Sequence, residues 1–67
     1  MRQYLAIYID PCENDSYLLL LTTSLQEAQK VRHATDIAVF ENGIPLEEYT
    51  RSVSDRWEGP RDYTVFA

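Results

Sequence analysis

Polar and apolar residues alternate with a period of two at the start of the chain. In "QYLAIYI", residues 3 to 9, Leu5, Ile7 and Ile9 fall on one side, and Tyr4, Ala6 and Tyr8 on the other. That is the period of a β-strand. "DPCENDS" then gathers Pro, Asn, Asp and Ser, a loop composition. "YLLLLTT", residues 17 to 23, is apolar at successive positions. Such a run suits a strand covered on both faces, and periodicity alone also allows a short helix. The simplest arrangement joins the two segments as an antiparallel hairpin.

The next segment changes period. Ser24-Leu25-Gln26-Glu27 matches a capping box, with the Ser hydroxyl on the amide three residues on and Glu27 reaching back to the amide of Ser24. It predicts a helix from about Leu25 to Ala34, with Leu25, Ala28 and Val31 as a narrow apolar stripe. Lys30, Arg32 and His33 lie toward the negative end of the helix dipole. A helix this short needs a sheet to pack on.

"TDIAVF", residues 35 to 40, predicts a third strand, and Asn42-Gly43 a two-residue type I′ turn, whose two central positions both need positive φ. A fourth strand starts at Ile44, and Pro45 argues for an edge position. After a Gly59-Pro60 break, "DYTVFA" offers an extra C-terminal strand. The expected fold is a single α+β domain over residues 1–67. One short helix packs on an antiparallel sheet of four to five strands, in the order ββαββ with the optional addition. A crossover through the helix returns strand three beside strand one, giving sheet order 2-1-3-4. That order makes strand two an edge although its sequence looks doubly covered.

Counting outward from Asn42-Gly43 pairs Phe40 with Pro45, Val39 with Leu46, Ala38 with Glu47, Ile37 with Glu48 and Asp36 with Tyr49. Opposed residues share a face. Ile37, Val39 and Leu46 are therefore expected beneath the helix, with Leu5, Ile7 and Ile9. Tyr4, Ala6, Tyr8, Phe40, Pro45 and Tyr49 are expected on the other face. That aromatic face is either covered by the tail, through Trp57, Tyr63, Val65 and Phe66, or it binds a partner or a second copy of the chain. Arg51, Arg56 and Trp57 sit close together in "EEYTRSVSDRWEG", and Arg and Trp are frequent at protein hot spots. The candidate partner-binding residues are thus Tyr4, Tyr8, Phe40, Tyr49, Arg51, Arg56 and Trp57.

Composition narrows the chemistry. Sixty-seven residues bury only about 60% of their unfolded surface, and folds of this size often lean on a disulfide, a metal or a partner. A lone Cys12 forms no internal disulfide and fits a reducing compartment. One His and one Cys exclude a four-ligand Cys/His zinc site. Asp10, Glu13 and Asp15 crowd the first loop without the spacing of a calcium loop. The only glycines are Gly43 and Gly59, so no glycine-rich phosphate loop exists. Glu47 and Glu48 are adjacent in a strand and point to opposite faces, which rules them out as a catalytic pair. A Cys12–His33 pair has no support beyond the presence of both residues. No cofactor, no metal and no enzymatic activity are expected. A net charge of −5 disfavours direct binding to nucleic acid and suits a protein partner with a basic surface. No signal peptide is visible and no apolar run spans a bilayer, so the expected setting is soluble and cytoplasmic, away from membranes.

The order of elements resembles that of several small bacterial and phage ββαββ proteins. "TSLQEAQKV", followed by "DIAVFENG" and then "RW", resembles the pattern in some anti-CRISPR proteins, where a "SL…A" helix precedes a hairpin. The likeness covers about half the chain, and the shared positions are a cap, a helix face and a turn. It implies a non-enzymatic inhibitor that blocks a large CRISPR surveillance complex by steric occlusion, and it carries over no functional residue. Members of that pattern occupy nucleic-acid-binding grooves. The other reading is a homodimeric regulatory or antitoxin-like module. For the turn, Gly43→Val is expected to cost roughly 1 kcal/mol or more, because a β-branched residue resists positive φ. A thermal melt checks this.

Overall fold

The computed structural model describes residues 1–63. The elements are β1 (Arg2–Asp10), β2 (Asp15–Thr22), α1 (Leu25–Gln29), β3 (Asp36–Glu41), β4 (Ile44–Arg51) and β5 (Trp57–Asp62). The five strands make one sheet in the order β2-β1-β3-β4-β5, antiparallel at every step. The expected order 2-1-3-4 holds, and β5 extends it beyond β4. Because β5 pairs along Glu47–Arg51, β4 is interior there, contrary to the edge position that Pro45 suggests. Pro45 lies in the part of β4 beyond β5, opposite Phe40, where a missing donor breaks no ladder bond to β5.

The β3–β4 turn is the one expected from Asn42-Gly43. Asn42 has φ 53° and Gly43 φ 80°, both left-handed, as a type I′ turn requires. The first two pairs, Glu41 with Ile44 and Phe40 with Pro45, are also as counted. The ladder then slips, and Val39 pairs with Glu47 instead of Leu46. Leu46 is the extra residue of a β-bulge, which no turn signal reveals. Every pair beyond it moves by one: Ala38 meets Glu48, Ile37 meets Tyr49 and Asp36 meets Thr50. Tyr49 therefore changes sides, joining Ile37 and Val39 on the helix-covered face.

The two faces of β1 are also the reverse of the expectation. Tyr4 pairs with Val39 and Ala6 with Ile37, so Tyr4 and Ala6 lie under the helix and Leu5, Ile7 and Ile9 lie on the far side. The core is the cluster Ala6, Ala28, Ala34, Ile37 and Val39, with Tyr4, Leu25, Val31, Tyr49 and Trp57 packed against it. Three of its five members are alanines. A short helix meets a sheet most closely over small side chains, so Ala6 takes the place that a larger aliphatic residue would crowd. On the far face Ile7 and Ala38 are buried, and Phe40 is half-buried against the Tyr63 ring in an edge-to-face contact at 5.6 Å. Trp57 packs on the helix side, not over this far face. The expected cover by Val65 and Phe66 falls outside the described residues.

The helix is half its expected length. It spans five residues, with Lys30 as C-cap. The Ser24 hydroxyl accepts from the Glu27 amide at 3.3 Å, which is half of a capping box. The reciprocal half is absent. The Ser24 amide donates to the Thr22 hydroxyl at 3.1 Å, while the Glu27 carboxylate lies 3.7 Å from Lys30. After Gln29 the chain continues in tight three-residue turns, Val31 to Ala28 and Ala34 to Val31, both at 3.3 Å. Thr35 then ties this return to the sheet. Its amide donates to Ile7 at 2.8 Å, its carbonyl accepts from Arg51 at 3.0 Å, and its hydroxyl accepts from the Ile9 amide at 3.0 Å and donates to Asp36 at 2.7 Å.

The Gly59-Pro60 pair sits inside β5 and not before it. The ladder steps from Glu48–Arg61 to Thr50–Glu58, leaving Gly59 and Pro60 opposite Tyr49 as another bulge. Gly59 has φ 137°, and a Cβ there would lie 2.9 Å from the Glu48 carbonyl oxygen and 2.9 Å from the Tyr49 ring. Backbone cannot yield as a flexible side chain would. Gly59→Ala is therefore expected to cost upward of about 1 kcal/mol, seen as a lowered melting temperature. An unchanged melt would contradict the close approach.

Candidate interaction surface

The residues singled out from the sequence do not form one surface. Tyr4, Tyr49 and Trp57 pack against the helix-side core. Phe40 is on the opposite face. Tyr8 stacks on Tyr17, with ring centroids 6.2 Å apart and planes inclined by 18°. The exposed Arg56 makes backbone contacts in the β4–β5 turn: its amide donates to the Ser52 hydroxyl at 3.2 Å and its carbonyl accepts from the Ser52 amide at 2.8 Å.

Arg51 and Trp57 do meet, and their meeting closes the end of α1. A helix leaves its last carbonyls without intrahelical partners. Arg51 Nη1 donates to Arg32 O at 2.9 Å, and Nη2 to Gln29 O at 3.4 Å and Val31 O at 3.3 Å. Trp57 Nε1 donates to Gln29 O at 3.0 Å. The guanidinium lies 4.5 Å from the centroid of the indole ring, a cation–π distance. Arg51 Nε is buried without a hydrogen bond and has the Asp55 carboxylate 3.5 Å away. That carboxylate is exposed, so the pair adds little. This constellation serves the fold: its donors are turned inward to the chain's own carbonyls.

What remains facing outward is β2. From Tyr17 to Leu21 the relative exposures are 47%, 57%, 41%, 37% and 54%, in a strand whose outer side has no neighbouring strand among the described residues. A register shift against β1, between Ala6–Leu20 and Ile7–Leu18, leaves Leu19 as the extra residue. It places Leu18 and Leu21 on the far face, with Ile7 and Leu5, and Leu20 on the helix face with Ala6. Neither face covers the run. The tension in the sequence between an edge position and a doubly apolar composition is thus real in the fold. Composition could have named these leucines as a surface, but it could not say that the order would leave them open.

The other edge is built differently. β5 carries Glu58, Pro60, Arg61 and Asp62, the charges and proline with which proteins blunt an exposed strand. β2 has no charged side chain between Asp15 and Glu27. The same hairpin is acidic at its tip. No Lys or Arg occurs from Gln3 to Gln29, while Asp10, Glu13 and Asp15 occupy the β1–β2 turn or its flanks. The Asp10 carboxylate accepts from the Cys12 amide at 3.0 Å and the Glu13 amide at 3.4 Å, which orders that turn from within.

Two carboxyl groups sit on the far face. Glu48 is 3% exposed, opposite Ala38 and Arg61. Asp36 is half-buried nearby. Burial pushes its pKa up, the Thr35 hydrogen bond pulls it partly back, and the Glu48 charge raises it again. Burial also raises the Tyr63 hydroxyl, with Glu48 adding to it, and the Tyr49 hydroxyl, with Glu47 and then Tyr4 adding to it and Arg2 opposing. Cys12 and His33 are both exposed. Among the described residues no group of three His, Cys, Asp or Glu side chains could hold a metal ion, and no helix is long and apolar enough to cross a membrane. No protein-family model, no curated protein and no solved structure matches this chain.

The Asp36 shift has a definite sign for stability. A carboxyl whose folded pKa is raised binds its proton more tightly in the native state, so its contribution falls as pH climbs through the raised value. Asp36→Asn keeps an acceptor for the Thr35 hydroxyl and removes the charge. Its melting temperature is expected to exceed that of the parent at pH 7, and the difference to shrink as the pH falls through the raised folded value and to be gone below the ordinary carboxylate value. Melts from pH 3 to 8 check this. A difference that grows toward low pH would reverse the sign.

Proposed function

We propose that this chain is a non-enzymatic protein-binding module that acts by occupying a surface on a host protein or complex and blocking it. The observation that carries the reading is the Tyr17–Leu21 edge, an apolar strip that the fold leaves open and that water does not favour. Supporting it is the acidic β1–β2 tip beside the strip, which favours approach to a basic protein surface. Occlusion of a basic groove is also what the resemblance to anti-CRISPR inhibitors implies, so a phage-derived inhibitor is the form of the proposal. A second reading, a homodimeric regulatory or antitoxin-like module, is favoured by the lack of charge along the strip.

The test places a photo-crosslinking amino acid at Glu13, within the acidic tip, in the source cell. Adducts to a protein of different sequence, lost progressively at higher salt, support occlusion of a basic partner. Adducts only to the chain itself, or none, overturn it.

A further inference from the structure

The β2 edge has the properties of a surface meant for its own copy. We infer that two chains pair through antiparallel β2 strands about a two-fold axis near Leu19, joining two five-stranded sheets into one of ten. The inference rests on the second, homodimeric reading of this edge, and it names the strand through which the copies pair.

Charge argues for a second copy. The chain carries −5, so two copies repel over most of their surfaces. The stretch from Ser16 to Gln26 has no charged side chain, and it is where two copies meet at least electrostatic cost. A two-fold axis between Leu18 and Leu19 sets Tyr17 against Leu20 of the other copy on the helix face and Ser16 against Leu21 on the far face, which matches the faces that the bulge gives them. It sets Asp15 against Thr22, so that no carboxylate faces another. A two-fold interface must be self-complementary in this way.

Area argues the same. Tyr17 through Leu21 are five successive apolar side chains between 37% and 57% exposed, the centre of a patch to set against the ~800 Å² per partner of a stable, standard-sized interface. Pairing the outward backbone of an eight-residue strand adds to that patch. The β2 bulge is a device that can discourage edge pairing, yet it does not hide the leucines, which stay between 37% and 57% exposed. In such a dimer the leucines are covered, and the two acidic hairpin tips lie at opposite ends, free for a basic partner.

The test is sedimentation velocity on the full chain across about 5 to 200 µM, a range bracketing micromolar association, with amide hydrogen exchange read residue by residue. The expected result is twice the mass of one chain at the upper concentrations, with outward-facing β2 amides slowing as the dimer forms. Leu19→Lys sets two like charges across the axis and is expected to restore the monomer while keeping a cooperative melt. Should that variant not fold, the parent's exchange pattern decides alone. A single-chain mass at every concentration, or a dimer whose β2 amides stay fast, overturns the inference. A monomer that still gives salt-sensitive adducts to another protein at position 13 overturns self-pairing and leaves the occlusion reading standing. A β2 dimer without such adducts does the reverse.

Discussion

The guanidinium of Arg51 holds together parts that the hydrophobic core is too small to hold. Ile37 and Val39 are the largest side chains fully buried, and the rest of the core cluster is alanine. A five-residue helix over so few contacts would not stay put by burial alone. Arg51, on the third strand-to-strand ladder away from β2, reaches back to three carbonyls at and beyond the helix end, and Trp57 reaches a shared one. Hydrogen bonds with a charged donor are the stronger kind, and this planar fork is one that Lys cannot copy. The sheet order follows from the same tie, because the α1–β3 return is held to β4 by Arg51 and to β1 by Thr35.

How much of this could be read from residues alone depends on the range of the signal. Local chemistry was legible. Asn42-Gly43 names its turn because two left-handed residues in succession are rare, and Ser24 names a helix start because its hydroxyl fits one amide. The order of the strands followed from handedness and connection length. The faces were not legible, since nothing in "QYLAIYI" says that the helix will prefer Ala6 to Ile7 beneath it. That choice is made by Ala28 and Ala34, far along the chain. The helix end was misjudged for a like reason. Val31 and Ala34 keep helical spacing and are in or against the core, but they reach it through successive tight turns.

The candidate site shows the same division. Tyr, Arg and Trp are read as binding residues because they are frequent at protein interfaces, and here most of them are used inside the chain. The surface that stays open is one that composition described as core. β2 has the composition of an interior strand and stands at the edge of the sheet. The acidic tip was visible in the sequence, and its nearness to the leucine strip came only with the hairpin.

The bulge at Leu46 acts as a phase-shifter within β4. Upstream of it the strand keeps the alternation begun at the turn; downstream the alternation is inverted, which is how Tyr49 comes to lie under the helix and Glu48 on the reverse side. Losing the one codon for Leu46 would remove the extra residue and leave Val39 on Glu47 and Ile37 on Tyr49, so the aromatic ring would stay in the core. Selection on this hairpin therefore has little hold on residue 46, in identity or in presence, and descendants of this sequence should include hairpins one residue shorter at that position.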